Sequence, residues 1–281
     1  MPIYDQGYRK YEAREPLRRV RFWPITREAL RLILAKRAFL GLLAICWVPF
    51  VVRVIQVVLV TLFPEAKRVL PLDGRLFGDF LNQELGLALL LSIFGGAGLI
   101  ANDLRTGAIL VYLSRPLTRR DYILGKLGVL LLLNLSVTLV PALLLYLIAL
   151  SMVPGQFLQW SLAWIVPAIV VQSLVSSVVI SLLALAVSAL SRSARVAGLG
   201  FVLLWAGLEI VREVIVNIAR RPEAVLLSLP SNLRAIGSAL FDIPVRDASL
   251  PWIWPALVLV TLCLVCLAVL RSRVRAVEIV T

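Results

Sequence analysis

Six long runs of apolar residues, each nearly free of charge, dominate the sequence and leave it few ways to fold. They fall at about 39–63, 85–101, 122–151, 164–190, 196–218 and 252–270. Each is near the ~20 residues that cross ~30 Å of hydrocarbon as a helix. A lone span in lipid must satisfy its own backbone hydrogen bonds, so helix is the only viable structure for them. The expected fold is an all-α polytopic membrane protein of six transmembrane helices. Of its 281 residues, 60% are hydrophobic, and its mean hydropathy is +0.94. Soluble domains sit nearer half.

The net charge of +13 invites a nucleic-acid reading, but the cations flank the apolar runs, so nucleic acid is not expected as a partner. Twenty Lys and Arg residues fall in the N-terminal segment, the second-third and fourth-fifth connections and the C-terminal tail; seven fall in the other connections. That bias places both termini in the cytoplasm, the chain being multi-pass in the inner membrane. Trp160, Trp164, Trp252 and Trp254 then mark the outer interface and Trp23 the inner one. The first 38 residues hold no short apolar core, so no cleavable signal peptide is expected.

Before the first span, "PITREALRLILAKR" reads as a helix capped by Thr26, with Leu30, Ile33 and Leu34 on one face and Arg27, Arg31, Lys36 and Arg37 facing headgroups. It lies on the inner leaflet, or extends the first span into the cytosol. Between the fifth and sixth spans, "PEAVLLSLPSNLRAIGSALFD" holds two apolar pieces split by Pro230, too short to cross; short outer-leaflet helices are expected there.

The chain has no histidine, which removes His-based metal sites and any Ser-His or Cys-His nucleophile pair. Cys263 and Cys266 have C-x-x-C spacing, but their run "LVTLCLVCLAVL" offers no polar partner; like Cys46 they read as small buried hydrophobes. No metal or cofactor is expected on this chain.

The connection "NDLRTGAILVYLSRPLTRRDYILGK", 102–126, is the most informative stretch. Asp103 and Arg105 end the second span in water, and Gly107 permits a sharp turn. "AILVYLS" is a short apolar helix, too short to span and too apolar for a bare loop, and Arg115-Pro116 stops it. Thr118 caps the next helix with Asp121 at the capping-box position. Arg119, Arg120 and Lys126 are expected at headgroup level. An apolar patch held at the cytoplasmic surface calls for a partner.

This layout resembles the coupling helix of export-type (type 2, ABC-2) ABC transporter permeases. The matching residues are Asp103, Arg105, Gly107, Leu110, Leu113, Pro116, Thr118, Arg119, Tyr122, Gly125 and Lys126. Overall organisation is most similar to the permeases related to the nitrous oxide reductase maturation exporter. The resemblance implies a polar tail at 1–23, a permease domain at 24–273 and a C-terminal tail at 274–281. It also implies a separate cytoplasmic ATPase that binds ATP and Mg, a second permease subunit, and contact with membrane lipids. Its ATPase-coupling residues would be Asp103, Arg105, Gly107, Leu110, Leu113, Pro116 and Arg119. The chain itself carries no G-x-x-x-x-G-K-[ST] phosphate loop and is not expected to be an enzyme.

Two polar clusters interrupt the spans. Arg53 and Gln56 share a face of the first span, where Pro49 suggests a kink; they face either a polar pathway or the outer headgroups. Glu209, Arg212 and Glu213 in the fifth span have the spacing of an intrahelical ion pair or of a substrate contact. Gly95, Gly96 and Gly98 read as close helix packing. Two rival functions remain. One is a non-translocating anchor that passes ATPase motion to another membrane or periplasmic partner. The other is an intramembrane protease, for which the glutamates lack the accompanying histidines.

Overall fold

A computed structural model describes residues 22–63, 73–108, 118–152, 164–219, 222–243 and 251–274. All regular structure among them is helical: α1 Trp23–Leu34, α2 Arg37–Cys46, α3 Val48–Leu62, α4 Gly74–Thr106, α5 Arg119–Val137, α6 Leu139–Met152, α7 Ile165–Leu190, α8 Ala194–Ala219, a 3-10 turn at Pro222–Leu227, α9 Leu229–Leu240 and α10 Ile253–Arg273. Five units are long and apolar enough to cross a membrane: α2–α3, α4, α5–α6, α7 and α10. The expected fifth span is α8, a 26-residue helix, which is not among those five.

Helices α4 and α7 form the centre and pack along each other. In their most apolar windows 67% and 72% of residues are buried, against 22% in α2–α3 and in α10, which therefore lie at the rim. The central pair is held by small residues and hydroxyls. A Cβ on Gly96 would come within 2.9 Å of Leu130 and 3.3 Å of Ala184, so three helices meet closely there. The Ser188 hydroxyl donates to the Ala97 carbonyl at 2.8 Å and accepts from the N–H groups of Ile100 and Ala101. A side chain from α7 is thus inserted into the backbone ladder of α4. Asn134 of α5 ties α4 to α7 by hydrogen bonds to Ser92 and Ser181.

The broken helices are explained by their sequence. The first span bends at Trp47, just before Pro49, which occupies the first turn of α3 and has no N–H to donate backward. The third bends at Thr138, before Pro141. Pro230 opens α9, whose N-cap is Ser228, accepting from the Ser231 N–H at 3.1 Å.

Two expectations need correction. The second span was placed at 85–101, yet α4 begins at Gly74, where Asp73 accepts from the Arg75 N–H at 2.9 Å. Its added turns are amphipathic: Leu76, Phe77, Phe80 and Leu81 are buried while Arg75 and Asp79 are exposed. The charges broke the apolar run without breaking the helix. Thr26 does not cap α1. The helix starts at Trp23 with Pro24 in its first turn, and the Thr26 hydroxyl serves tertiary packing.

Candidate functional site: the root of the 102–126 connection

The two ends of this connection are joined side by side. Lys126 Nζ lies 2.8 Å from Asp103 Oδ2, and the Tyr122 hydroxyl donates to the same oxygen at 2.8 Å. Tyr122 and Lys126 are one turn apart on α5, so both reach the same carboxylate at the end of α4. The ammonium also stands 5.6 Å from the centre of the Tyr122 ring. Tyr122 is fully buried, and Val274, at the end of α10, packs with it. The carboxylate thus joins α4 to α5, and the Tyr122 ring packs with Val274 at the end of α10.

Gly125 explains why a glycine precedes the lysine. A Cβ there would sit 2.9 Å from the Ile25 Cβ and 3.2 Å from the Phe22 carbonyl. Helix α1 crosses α5 at this point, and the Thr26 hydroxyl donates to the Gly125 carbonyl at 2.9 Å. Ile25, Thr26, Ala29 and Ile33 form the buried face, with Leu30 and Leu34 half-buried; Arg27, Arg31, Lys36 and Arg37 are exposed. On successive positions α5 thus receives α1 through Gly125 and α4 through Lys126.

Both flanks of the connection are shaped by local chemistry. Gly107 ends α4 with φ +71°, the left-handed conformation that suits glycine. Thr118 starts α5 through a full capping box: its hydroxyl accepts from the Asp121 N–H, and the Asp121 carboxylate accepts from the Thr118 N–H at 3.0 Å. Arg105 and Arg119 are exposed. Leu110, Leu113 and Pro116 lie outside the described residues. Lys126 and Asp103 are turned toward each other rather than standing free. Lys126 is buried and Asp103 half-buried, because each neutralises the other.

The chain matches the family model described as ABC-2 family transporter protein over residues 86–269. It belongs to the ABC-2 transporter family. No curated protein matches it. Membership makes this ABC-2 protein a transmembrane permease component that works with an ABC ATPase subunit. The match takes in the whole 102–126 connection and its root.

The two other polar clusters of the permease lie on α3 and α8. Arg53 is half-buried on α3 and donates to Gln56 Oε1 at 2.9 Å; α3 packs against α6 and α4. On α8, Arg212 donates to Glu209 Oε1 through Nε at 3.1 Å and Nη2 at 2.8 Å, and its Nη2 also meets Glu213. The Ser228 hydroxyl, the cap of α9, donates to Glu209 Oε2. Arg212 therefore closes an ion pair within its helix, while Glu209 fastens α8 to the start of α9. Cys46, Cys263 and Cys266 are unbridged thiols.

Sequence reasoning missed three groups. Tyr122 was noted only as an aromatic, without its bond to Asp103. Asn134 was not singled out, although an amide inside an apolar span signals an interhelical bond. Glu84 falls just before the expected second span; it is fully buried within α4.

Proposed function

We propose that this ABC-2 protein is the membrane subunit of an exporter, driven by a separate ATPase that docks on the 108–117 segment. The observation carrying the reading is the Asp103–Lys126–Tyr122 clamp. It ties both roots of that segment to α4 and α5, so a force applied to the segment passes to two helices rather than to a slack loop. In this reading α8 is the fifth of six spans, both termini are cytoplasmic, and the chain sits in the inner membrane. Two permease copies, alike or different, line one pathway. ATP and Mg bind only to the partner ATPase. Organisation similar to the permeases of the nitrous oxide reductase maturation type accords with a separate α1 ahead of α2–α3 and the short α9.

Leu110 and Leu113, three positions apart in the sequence, would form the docking face. Replacing both by Asp should abolish co-purification with the ATPase and leave membrane insertion intact. Unchanged co-purification would overturn the reading.

A further inference from the structure

Helix α8 has two unlike faces. Ala197 and Phe201 are buried, with Trp205 half-buried beside them, and the helix packs on α4 and α7. The opposite face is open: Leu199, Leu203 and Ile210 are 64%, 70% and 64% exposed. Steps of four and three residues alternate along it, through Leu199, Leu203, Ala206, Ile210, Glu213 and Asn217. That spacing keeps one stripe in line and is the repeat of a seam between two helices.

The same spacing also suits lipid, so the residue types decide. Helix α10 gives the comparison. Its open stripe of Ile253, Leu257, Val260 and Leu264 is apolar throughout, which hydrocarbon accepts. The stripe of α8 instead carries an exposed carboxylate and an exposed amide, Glu213 and Asn217, which are costly against lipid. It also narrows at Ala206, and a Cβ on the adjacent Gly207 would meet nothing within 4 Å. Small residues midway along a span let a second backbone come close.

The polar end of the stripe suits a copy of itself. Glu213 is engaged on its own helix, by Arg212 at Oε2 and by the Asn217 amide at Oε1, the latter at 2.9 Å. Asn217 donates one N–H there; its second N–H and its side-chain oxygen are left for a partner. Across a two-fold axis, two such amides bond each other twice, each donating to the other's oxygen. One asparagine in an apolar seam fixes register and the number of helices.

We propose that two copies of this chain pair α8 against α8, in parallel, about a two-fold axis along the membrane normal. The proposal rests on the reading above, in which α8 spans the membrane and two permease copies assemble. It adds that the copies are identical and that this stripe joins them. Each residue of the stripe then meets its own counterpart, as an isologous contact requires.

The test uses the full chain in native membranes, with the three unbridged cysteines replaced by Ala and one new cysteine at a time. Under mild oxidation, Leu203→Cys and Ile210→Cys should each give a disulfide-linked dimer, and Leu264→Cys on α10 should not. The number of copies per particle is counted separately for the unaltered chain in nanodiscs. There, Asn217→Ala should weaken dimerisation about seven-fold in a dilution series, the loss of two interhelical bonds of ordinary strength. Two copies per particle without a link at Leu203→Cys or Ile210→Cys would overturn the α8 seam and leave the two-copy reading standing. Equal linking at Leu264→Cys would mark random collision and overturn it too. One copy beside a different permease would overturn the identical pair alone, whereas one copy with only the ATPase would remove both readings.

Discussion

Lys126 and Asp103 are 23 positions apart in sequence, yet their charged atoms stand 2.8 Å apart, with only 6% of the lysine side chain and 17% of the aspartate exposed. Removing one partner of such a pair strands a charge in a poorly hydrated place, at a cost of about 2–4 kcal/mol. Asp103→Asn should therefore lower Tm and loosen the ATPase. Asp103→Asn with Lys126→Met should recover much of the stability, since no charge is left behind. Thermal unfolding of the single and double variants, read as a cycle, checks this. Additive losses would mean that the pair is not coupled.

Gly125 gives a steric prediction. Gly125→Ala places a Cβ 2.9 Å from the Ile25 Cβ and 3.2 Å from backbone at Phe22, neither of which can swing aside. Helix α1 must move outward, at about 1–3 kcal/mol, the usual cost of overpacking. The expected signature is faster proteolysis between α1 and α2 with the other helices still protected. Gly41→Ala, where a Cβ meets nothing within 4 Å, is the control and should be silent.

Asn134 sits at the meeting point of α4, α5 and α7. Its replacement by Leu removes hydrogen bonds to Ser92 and Ser181. Interhelical bonds of this kind are worth about 0.6 kcal/mol each and rarely more than ~1.7. Asn134→Leu should thus destabilise mildly in a denaturation titration and leave the complex assembled. Complete loss of folding would show that the amide does more than join helices.

Arg53 separates two roles that its position alone does not. Its guanidinium is held by Gln56 on its own helix, so Arg53→Leu strands no opposite charge. If the arginine serves a polar pathway, Arg53→Leu should cut transport-linked ATPase activity several-fold at unchanged Tm. Full activity with equal or higher Tm would assign it to headgroup anchoring and remove it from the site.

The apolar runs were legible because lipid leaves a spanning segment no option but helix. Hence α7 and α10 start and end within a few residues of expectation. What hid the start of α4 was its amphipathic first turns: Arg75, Asp79 and Glu84 fall before the expected span because nothing local says that Phe77 and Phe80 pack inward. The motif around 102–126 was legible as a pattern of residue types, and its capping box at Thr118 and Asp121 formed as spaced. Its tertiary content was not. A lysine at the head of a span ordinarily reaches for phosphate, and only the fold brings Asp103 within its reach. Thr26 was similarly ambiguous, since a hydroxyl near a helix start caps the backbone or bonds a neighbour. Here the neighbour is the Gly125 carbonyl.

Unlike α2–α3 and α5–α6, α4 runs 33 residues without a proline or a break, which makes a rod about 50 Å long. Its two tips are fixed to different neighbours: Gly74 rests against Trp164 and Phe241, and Asp103 is bound to α5. Such a rod has no proline break at which to bend, as α2–α3 and α5–α6 have. A tilt of about 6° around its midpoint carries each tip about 2.5 Å in opposite directions, given that length. Displacement at the Asp103 tip therefore reappears, reversed, at the far tip, making α4 a seesaw about its middle turns.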